Sequence, residues 1–289
     1  MKVEGIRIIP ASITSTSRSP STPRSEWRFT GQARGYIDLF VQASPTGEIE
    51  ARSGAHKSVY AGNWKLQLED TVDGYHAPYL HQTYFDVQRG RAQRGSTTVE
   101  GSSAVVKALG NGHTVLDRRS EFVDAGNQRL RRTPAGGEFL ATLEAQVGTE
   151  RARQILHEIA GANFNLAIYP NLVLIGMQIR TIRPLAVDQT EIWVQPVLLG
   201  GTPAALNSWR LRAHEQFYGP AGLAAPDDLE MFARVQDGLQ VEAVEWVNLG
   251  RGLGRERVED GVVVGEATDE TPQHAQYQHW KRLLTAAAR

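Results

Sequence analysis

A carboxylate and two histidines, Asp73, His76 and His81, lie within nine consecutive residues of this chain. Imidazole and carboxylate groups bind iron(II) and related divalent metals, and a set of two histidines and one carboxylate leaves positions open for O2 and substrate. On a helix, Asp73 and His76 share a face, whereas His76 and His81 lie about 140° apart. Both histidines can reach one ion only where the helix is distorted or ends between them, and Pro78 disfavours an uninterrupted helix.

An oxygen ligand for such a site is available from Asp227 and Asp228. A carboxylate in the first turn of a helix is held ionised by the helix dipole, as a metal ligand must be. The same position is also a routine helix cap, so both interpretations of the Asp pair stay open. His76 and His81 likewise have a structural interpretation, as hydrogen-bonded histidines beside a polar helix face.

The remaining histidines lack such neighbours in the sequence, and we interpret them as surface or structural residues. They are His56, His113, His157, His214, His274 and His279.

Composition limits the class of protein. The 289 residues include no cysteine, which excludes disulfides, thiolate zinc sites, cysteine nucleophiles and cysteine-held iron–sulfur clusters within this chain. The net charge of −1 provides no field that attracts nucleic acid or an anionic membrane. The sequence has neither an apolar run of about 18 residues nor the long apolar core of a signal peptide, so we expect a cytoplasmic protein.

The sequence predicts a poorly ordered lead-in over residues 1–30, rich in Ser, Thr, Pro and Arg, followed by one folded domain over residues 31–289. Turn residues 110–112 and 260–261 predict two tight hairpins. Alternation of apolar and mixed positions predicts one strand over residues 173–180 and a second over 191–199.

Helical patterns complete the prediction. The histidine segment is placed on a helix, and further helices are expected at 149–158, after 200–203, at 227–239 and from Thr271, with Pro272 in its first turn. The predicted buried face of the last helix consists of Tyr277, Trp280, Leu283 and Leu284. The predicted buried face of the helix after residue 203 consists of Leu206, Trp209, Ala213 and Phe217. Residues 36–42 suit a short helix or a buried strand. Because strands and helices segregate, the sequence predicts an α+β fold with a twisted antiparallel sheet.

Three separated motifs together resemble one known family. The motifs are Asn63-Trp64-Lys65 with the run 69–81, the segment 219–230, and residues 269–272 followed by Tyr277 and Trp280. They are similar to the catalytic domain of the alpha subunit of Rieske-type aromatic-ring-hydroxylating dioxygenases, especially the benzoate- and anthranilate-like branch. The resemblance runs from about residue 31 to the C-terminus.

The resemblance implies a helix-grip (START-like) fold, in which a curved antiparallel sheet wraps a long helix. It implies that His76, His81 and Asp228 are the ligands of Fe(II). Asp73 would accept a hydrogen bond from a histidine of a neighbouring subunit's Rieske centre and carry electrons to the iron. Tyr218 falls at an aromatic pocket position or packs in the core, and Asp70 replaces an asparagine of the family and so adds a carboxylate.

The implied reaction adds both atoms of O2 to an aromatic substrate and gives a cis-dihydrodiol, with electrons passed from NAD(P)H through a reductase or ferredoxin and a Rieske cluster. The implied partners are further alpha subunits in a trimer, often with beta subunits. This chain cannot bind the two-iron Rieske cluster, because it has no cysteine. We therefore expect the lead-in to be the scar of a truncation or frameshift.

Two alternatives stay open at this stage. One is a truncated metal- or ligand-binding remnant without turnover. The other, weaker one is a hydrolase with a similar metal triad, for which only Asp70 and Asp73 are candidate general bases.

Overall fold

A computed structural model describes residues 30–51, 54–91, 102–121, 136–152 and 164–287. The predicted lead-in therefore lies outside the described residues, apart from Thr30. The helices are α1 (Ala33–Gln42), α2 (Trp64–Thr71), α3 (Ala77–Leu80), α4 (Gln82–Arg91), α5 (Gly136–Val147), α6 (Ala204–Tyr218), α7 (Ala225–Gly238) and α8 (Thr271–Ala287). The strands are β1 (Ile49–Glu50), β2 (His56–Tyr60), β3 (Val105–Ala108), β4 (Thr114–Asp117), β5 (Phe164–Ile168), β6 (Leu172–Ile175), β7 (Gln178–Ala186), β8 (Gln189–Pro196), β9 (Leu198–Leu199), β10 (Arg257–Glu259) and β11 (Val262–Glu266).

Nine of these strands form one antiparallel sheet in the order β10-β11-β3-β4-β5-β6-β7-β8-β2. Strands β1 and β9 form a separate pair. The first long strand in the sequence, β2, lies at one edge of the sheet and pairs with β8. The predicted α+β fold with an antiparallel sheet is confirmed.

Apolar clusters cover both faces of the sheet centre. Neighbouring residues of β5 face opposite sides, with Leu166 in the cluster that contains Tyr36 and Phe40 of α1, and Ala167 in the cluster that contains Leu68 of α2. Since successive side chains of a strand point to opposite faces, a strand buried on both faces is apolar throughout.

The two predicted hairpins are confirmed. Asn111 and Asp260 have φ of 51°, and they lie in the turns β3–β4 and β10–β11 beside glycines that also have positive φ. Asparagine, aspartate and glycine tolerate this left-handed conformation, which tight hairpin turns require.

The prediction of one strand over residues 173–180 is wrong. The chain reverses at Gly176-Met177, so that Ile175 pairs with Gln178 across a tight turn between β6 and β7. The apolar alternation continues through this turn because both strands are buried in the centre of the sheet. The following hairpin, β7 to β8, forms as predicted.

The prediction of one helix through the histidine segment is also wrong, since α2 ends at Thr71 and α3 is a single turn. Residues 149–152 are helical as expected, and the rest of the predicted helix 149–158 lies outside the described residues. Helix α5 was not predicted.

The buried stripes of two helices are more polar than predicted. Leu283 and Leu284 of α8 are 48% and 54% exposed, whereas Gln276 is buried and donates to Thr114 Oγ1 at 2.9 Å. Helix α6 buries Leu206, Arg210 and His214 rather than a wholly apolar stripe. Hydrogen-bonding side chains thus replace apolar ones where these helices meet the sheet. None of the helices in the described ranges is long and apolar enough to cross a bilayer.

Candidate metal centre

The two histidines flank a single helical turn. The side chain of Asn63 caps α2 by accepting a hydrogen bond from the backbone N–H of Lys65 at 3.1 Å. After α2 ends, Pro78 lies at the start of α3, with His76 immediately before this helix and His81 immediately after it. The break turns the two rings toward each other, with centroids 5.3 Å apart and an angle of 85° between planes. Because the helix is interrupted, His76 and His81 are not held about 140° apart around one helix axis, as they would be on a continuous helix.

The carboxylate comes from the first turn of α7. Asp228 is buried, and its Oδ1 lies 3.2 Å from His81 Nε2, whereas the side chain of Asp227 is 43% exposed. Ligand atoms of His76, His81 and Asp228 all lie within 4.8 Å of one another. The structure therefore brings together the three residues that the sequence analysis singled out as ligands. We call them the triad.

The triad fits a cation. Within the described part of the chain, Asp228 Oδ1 and His81 Nδ1 are buried without a hydrogen-bond partner, and the close approach of Asp228 to His81 lacks hydrogen-bond geometry. Unpaired buried polar atoms are costly. Two imidazoles and a carboxylate with such free lone pairs suit a divalent metal such as iron(II).

Asp73 holds the ring of His76 at its Nδ1 nitrogen. Its Oδ2 lies 3.3 Å from His76 Nδ1, and its oxygens also accept from the backbone N–H groups of Tyr75 and His76 at 2.7 and 3.2 Å. Burial would raise the pKa of Asp73, but the hydrogen bond and charge of His76, together with these amides, hold it below its ordinary value. Fixing Nδ1 in this way leaves His76 Nε2 available to a metal.

Asp70 adds a negative group at the other ring nitrogen of His76. Its Oδ1 lies 3.4 Å from His76 Nε2. Burial, followed by the charge of Asp228, raises the pKa of Asp70 to about 7. Burial lowers the pKa of His76, but the charges of Asp70 and Asp73 outweigh burial and raise it to about 9. In the metal-free protein, a proton on His76 therefore balances part of this negative charge.

The family model for the catalytic domain of ring-hydroxylating alpha subunits matches residues 48–286 of the chain. The chain belongs to this family. It is 32% identical over 288 residues to the anthranilate 1,2-dioxygenase large subunit of Acinetobacter baylyi, covering 89% of this chain and 58% of that protein. It is 34% identical over 233 residues to the 2-halobenzoate 1,2-dioxygenase large subunit of Burkholderia cepacia, covering 77% of this chain and 47% of that protein.

The chain thus spans about half the length of the curated relatives it matches. Its fold is similar to that of naphthalene 1,2-dioxygenase from Rhodococcus sp., with a TM-score of 0.68 at 16% identity over 91% of this chain and 62% of that one. The helix-grip fold expected from the sequence is confirmed. The expected family is confirmed too, and its named relatives are oxidoreductases.

Aromatic and cationic side chains surround the triad of the ring-hydroxylating domain. The ring of Phe217 lies 5.3 Å from that of His81 and 4.7 Å from that of Tyr84. The guanidinium of Arg180 lies 5.7 Å from the centroid of the Tyr218 ring. Burial, partly opposed by Arg180, raises the pKa of Tyr218 to about 12, so its hydroxyl stays protonated.

Sequence analysis missed Arg180, which is 4% exposed. Its Nε is buried without a hydrogen-bond partner, and no ion pair reaches its guanidinium among the residues described. The charge of Arg180 opposes the rise in the pKa of Asp70, so it lies within electrostatic reach of this carboxyl group beside His76. The available signal was an arginine between the apolar residues Ile179 and Ile182, and it was hidden by the wrong strand assignment at residues 173–180.

Proposed function

We propose that this chain is the catalytic domain of an aromatic-ring-hydroxylating dioxygenase that uses Fe(II) and O2 to convert an aromatic acid to a cis-dihydrodiol. The observation that carries the proposal is the convergence of His76, His81 and Asp228, from two distant segments, in a domain of this family. When bound, the iron would supply a binding site for O2 and accept electrons for its reduction.

In this proposal each side chain of the triad region has one task. His76, His81 and Asp228 hold the metal on one side and leave the other side open. Asp73 orients the ring of His76 and provides the polar path by which electrons arrive from a Rieske centre outside this chain. Phe217 packs against His81 and Tyr84, and these rings would exclude water beside a metal held by the triad.

Arg180 supports an anionic substrate. The guanidinium of Arg180 is buried and interacts with the charge of Asp70, but the described residues offer it no directly paired carboxylate, and a ligand carboxylate would supply one. Anthranilate and 2-halobenzoate, named for two relatives, both carry a carboxylate on the aromatic ring. We infer that Arg180 binds the carboxylate of a benzoate-type substrate and so places the ring beside the metal.

The substrate assignment predicts a selective defect. Arg180→Gln should raise KM for benzoate at least tenfold, since a charged hydrogen-bonding partner is lost, and should leave KM for the neutral analogue benzamide nearly unchanged. Steady-state kinetics with both compounds measure the difference. Equal effects on the two substrates, at unchanged iron content, would reject a role in carboxylate binding.

Assembly with other subunits completes the proposal. The 289 residues contain no cysteine, so the Rieske cluster must be held by residues outside this sequence. The relatives are named as large subunits, and we propose an alpha trimer, with or without beta subunits, served by a ferredoxin or reductase. Large apolar side chains stand exposed after α7 and suit such contacts; they are Leu239, Val241, Val244, Trp246 and Val247.

Iron content tests the site. After anaerobic reconstitution with Fe(II), we expect iron bound at the triad, and we expect His76→Ala/His81→Ala and Asp228→Ala to lose it. Asp227→Ala is the matched control. The carboxylate of Asp227 neighbours Asp228 but is 43% exposed, and its removal should leave iron binding unchanged. Unchanged iron content in the double histidine variant would exclude the proposed ligands.

The absence of cysteine also favours a second candidate, a metal- or ligand-binding remnant without turnover. A turnover assay with a separate Rieske protein and its reductase discriminates between the two. Sustained formation of a dihydrodiol from benzoate supports the dioxygenase. Release of peroxide or absence of product, with iron bound at the triad, supports the remnant without turnover.

A further inference from the structure

A second cluster of metal-ligating side chains lies away from the triad. It joins His56, at the start of β2, to His214 and Glu215 on α6, and ligand atoms of all three lie within 4.8 Å of one another. Glu215 Oε1 lies 2.7 Å from His56 Nε2 and 3.6 Å from His214 Nδ1. The sequence analysis interprets His56 and His214 as surface or structural histidines because they lack ligand neighbours in the sequence, and the structure brings potential ligands to them from distant segments.

His214 presents an unpaired nitrogen to this cluster. The residue is fully buried, and its Nε2 lies 2.9 Å from Gln178 Oε1, which can only accept a hydrogen bond. With Gln178 Oε1 as the acceptor, Nε2 carries the proton and Nδ1 carries the lone pair. Nδ1 has no hydrogen-bond partner among the described residues and faces the carboxylate of Glu215.

A lone pair that faces a carboxylate is repulsive unless a cation lies between them. Burial lowers the pKa of His214 to about 4, so a second proton on the ring does not relieve this repulsion at neutral pH. The hydrogen bond from the far nitrogen to Gln178 is the arrangement that orients histidine ligands in metal sites. The nearly parallel rings of His56 and His214, at 13° between planes, further fix the donors.

We propose that His56, His214 and Glu215 form a second metal site, which binds Zn2+ with water as its fourth ligand. Donors about 2.0–2.1 Å from a tetrahedral zinc lie roughly 3.3 Å apart. The 3.6 Å gap between His214 and Glu215 is close to that value, and the 2.7 Å contact of the metal-free His56–Glu215 pair opens by about 0.6 Å. Glu215 is 48% exposed at its side chain, which gives the water ligand access to solvent.

The second site would join the edge strand of the sheet to α6. His56 lies on β2, whose only partner strand in the described sheet is β8, and the other two ligands lie on a helix of a different layer. A metal bound there stabilises the folded chain, because the unfolded chain does not hold the three donors together. The same helix continues to Phe217, which packs against His81 of the triad.

Zinc binding to a variant without the triad tests this proposal. Titration calorimetry of His76→Ala/His81→Ala with Zn2+ should give about one site per chain. Adding His56→Gln or Glu215→Gln should weaken binding at least tenfold, and both substitutions lie at partly exposed positions that the fold tolerates. His274→Gln is the matched control, because its ring faces only one carboxylate, Glu256.

Two further readouts decide the outcome. Co2+ bound in place of Zn2+ should show the intense visible bands of a four-coordinate site, and these should disappear in Glu215→Gln. Zn2+ should raise the melting temperature of the variant without the triad but not after addition of His56→Gln. Absence of zinc binding by the variant without the triad, or equal binding after loss of His56 and Glu215, would overturn the proposal.

Discussion

At the scale of single residues, the proposed task of Asp73 differs from that of the proposed ligands. Its Oδ2 contacts His76 Nδ1, and backbone amides stabilise its charge. A substitution that keeps its shape and removes its charge therefore separates metal binding from electron delivery.

We expect Asp73→Asn to keep its iron and to lower turnover supported by an external Rieske protein by about 10–100-fold. Iron content and product formation are measured on the same preparation. Asp237→Asn, at an exposed position of α7, is the control and should leave both unchanged. Normal turnover in Asp73→Asn would remove Asp73 from the electron path.

Which residues the sequence predicts depends on where their partners lie. His76 and His81 were predictable because a local run contains them, and Asp228 because it lies in a recognisable first turn. Arg180 and the His56–His214–Glu215 cluster were not, since their character comes from neighbours on other strands and helices. Burial and unpaired atoms are properties of the fold, and no local pattern encodes them.

Gly74 controls the path of the loop between α2 and α3. A Cβ at this position would lie 2.2 Å from the carbonyl oxygen of Ala267, which belongs to the chain after β11. Because backbone cannot move aside as a side-chain tip does, any larger residue must displace the segment that carries Asp73 and His76.

Gly74→Ala should therefore destabilise the protein by about 1–3 kcal/mol and weaken iron binding. Urea unfolding and iron titration measure the two effects. Gly35→Ala is the control, because a Cβ there meets nothing within 4 Å and the residue lies in α1, so stability should be unchanged or slightly higher. If Gly74→Ala bound iron normally, close approach to Ala267 would not position the triad.

Helices α2 and α8 meet through a carboxyl group that titrates near neutrality. Tyr277 donates to Glu69 Oε1 at 2.5 Å, and burial raises the pKa of Glu69 to about 7 from an ordinary value of 4.5. The folded chain binds this proton more tightly than the unfolded chain. Stability from Glu69 is therefore fully present below pH 4.5 and is lost as pH rises through 7.

Glu69→Gln removes this titration. Between pH 4.5 and 8, the free energy of unfolding of the wild type should fall by up to about 3 kcal/mol relative to the variant. Urea unfolding at both pH values measures the difference, and Glu259→Gln, at an exposed position of β10, serves as control. Parallel pH dependence of wild type and Glu69→Gln would contradict the raised pKa.

Elements were predictable where local chemistry decides them. Left-handed turn residues specified the β3–β4 and β10–β11 hairpins, and Pro272 marked the start of α8. The turn at Gly176-Met177 was not recognised, because the ends of β6 and β7 that meet there are largely buried and the alternation of apolar and mixed residues continues through the turn. The polar residues buried on α6 and α8 were not predicted, because their hydrogen-bonding partners lie on strands far away in sequence.

At the scale of the whole molecule, binding of the proposed metal and stability of the fold would depend on each other. The triad joins α3 to α7, so a ligand that binds only the folded chain adds to its stability, by about 2.7 kcal/mol at 100 times Kd. Anaerobic Fe(II) should raise the melting temperature by several degrees. This shift should be absent in His76→Ala/His81→Ala, and its persistence there would place the stabilising ion elsewhere.

The pairing of β2 with β8 determines when the contacts around the two clusters form during synthesis and folding. Residues 56–81 leave the ribosome early, but their partners β8, α6 and α7 follow more than a hundred residues later. Contacts between such distant segments form late and slowly, because a long loop must close first. Both clusters are thus incomplete until these distant segments pack together, so binding of the proposed metals would follow folding rather than start it.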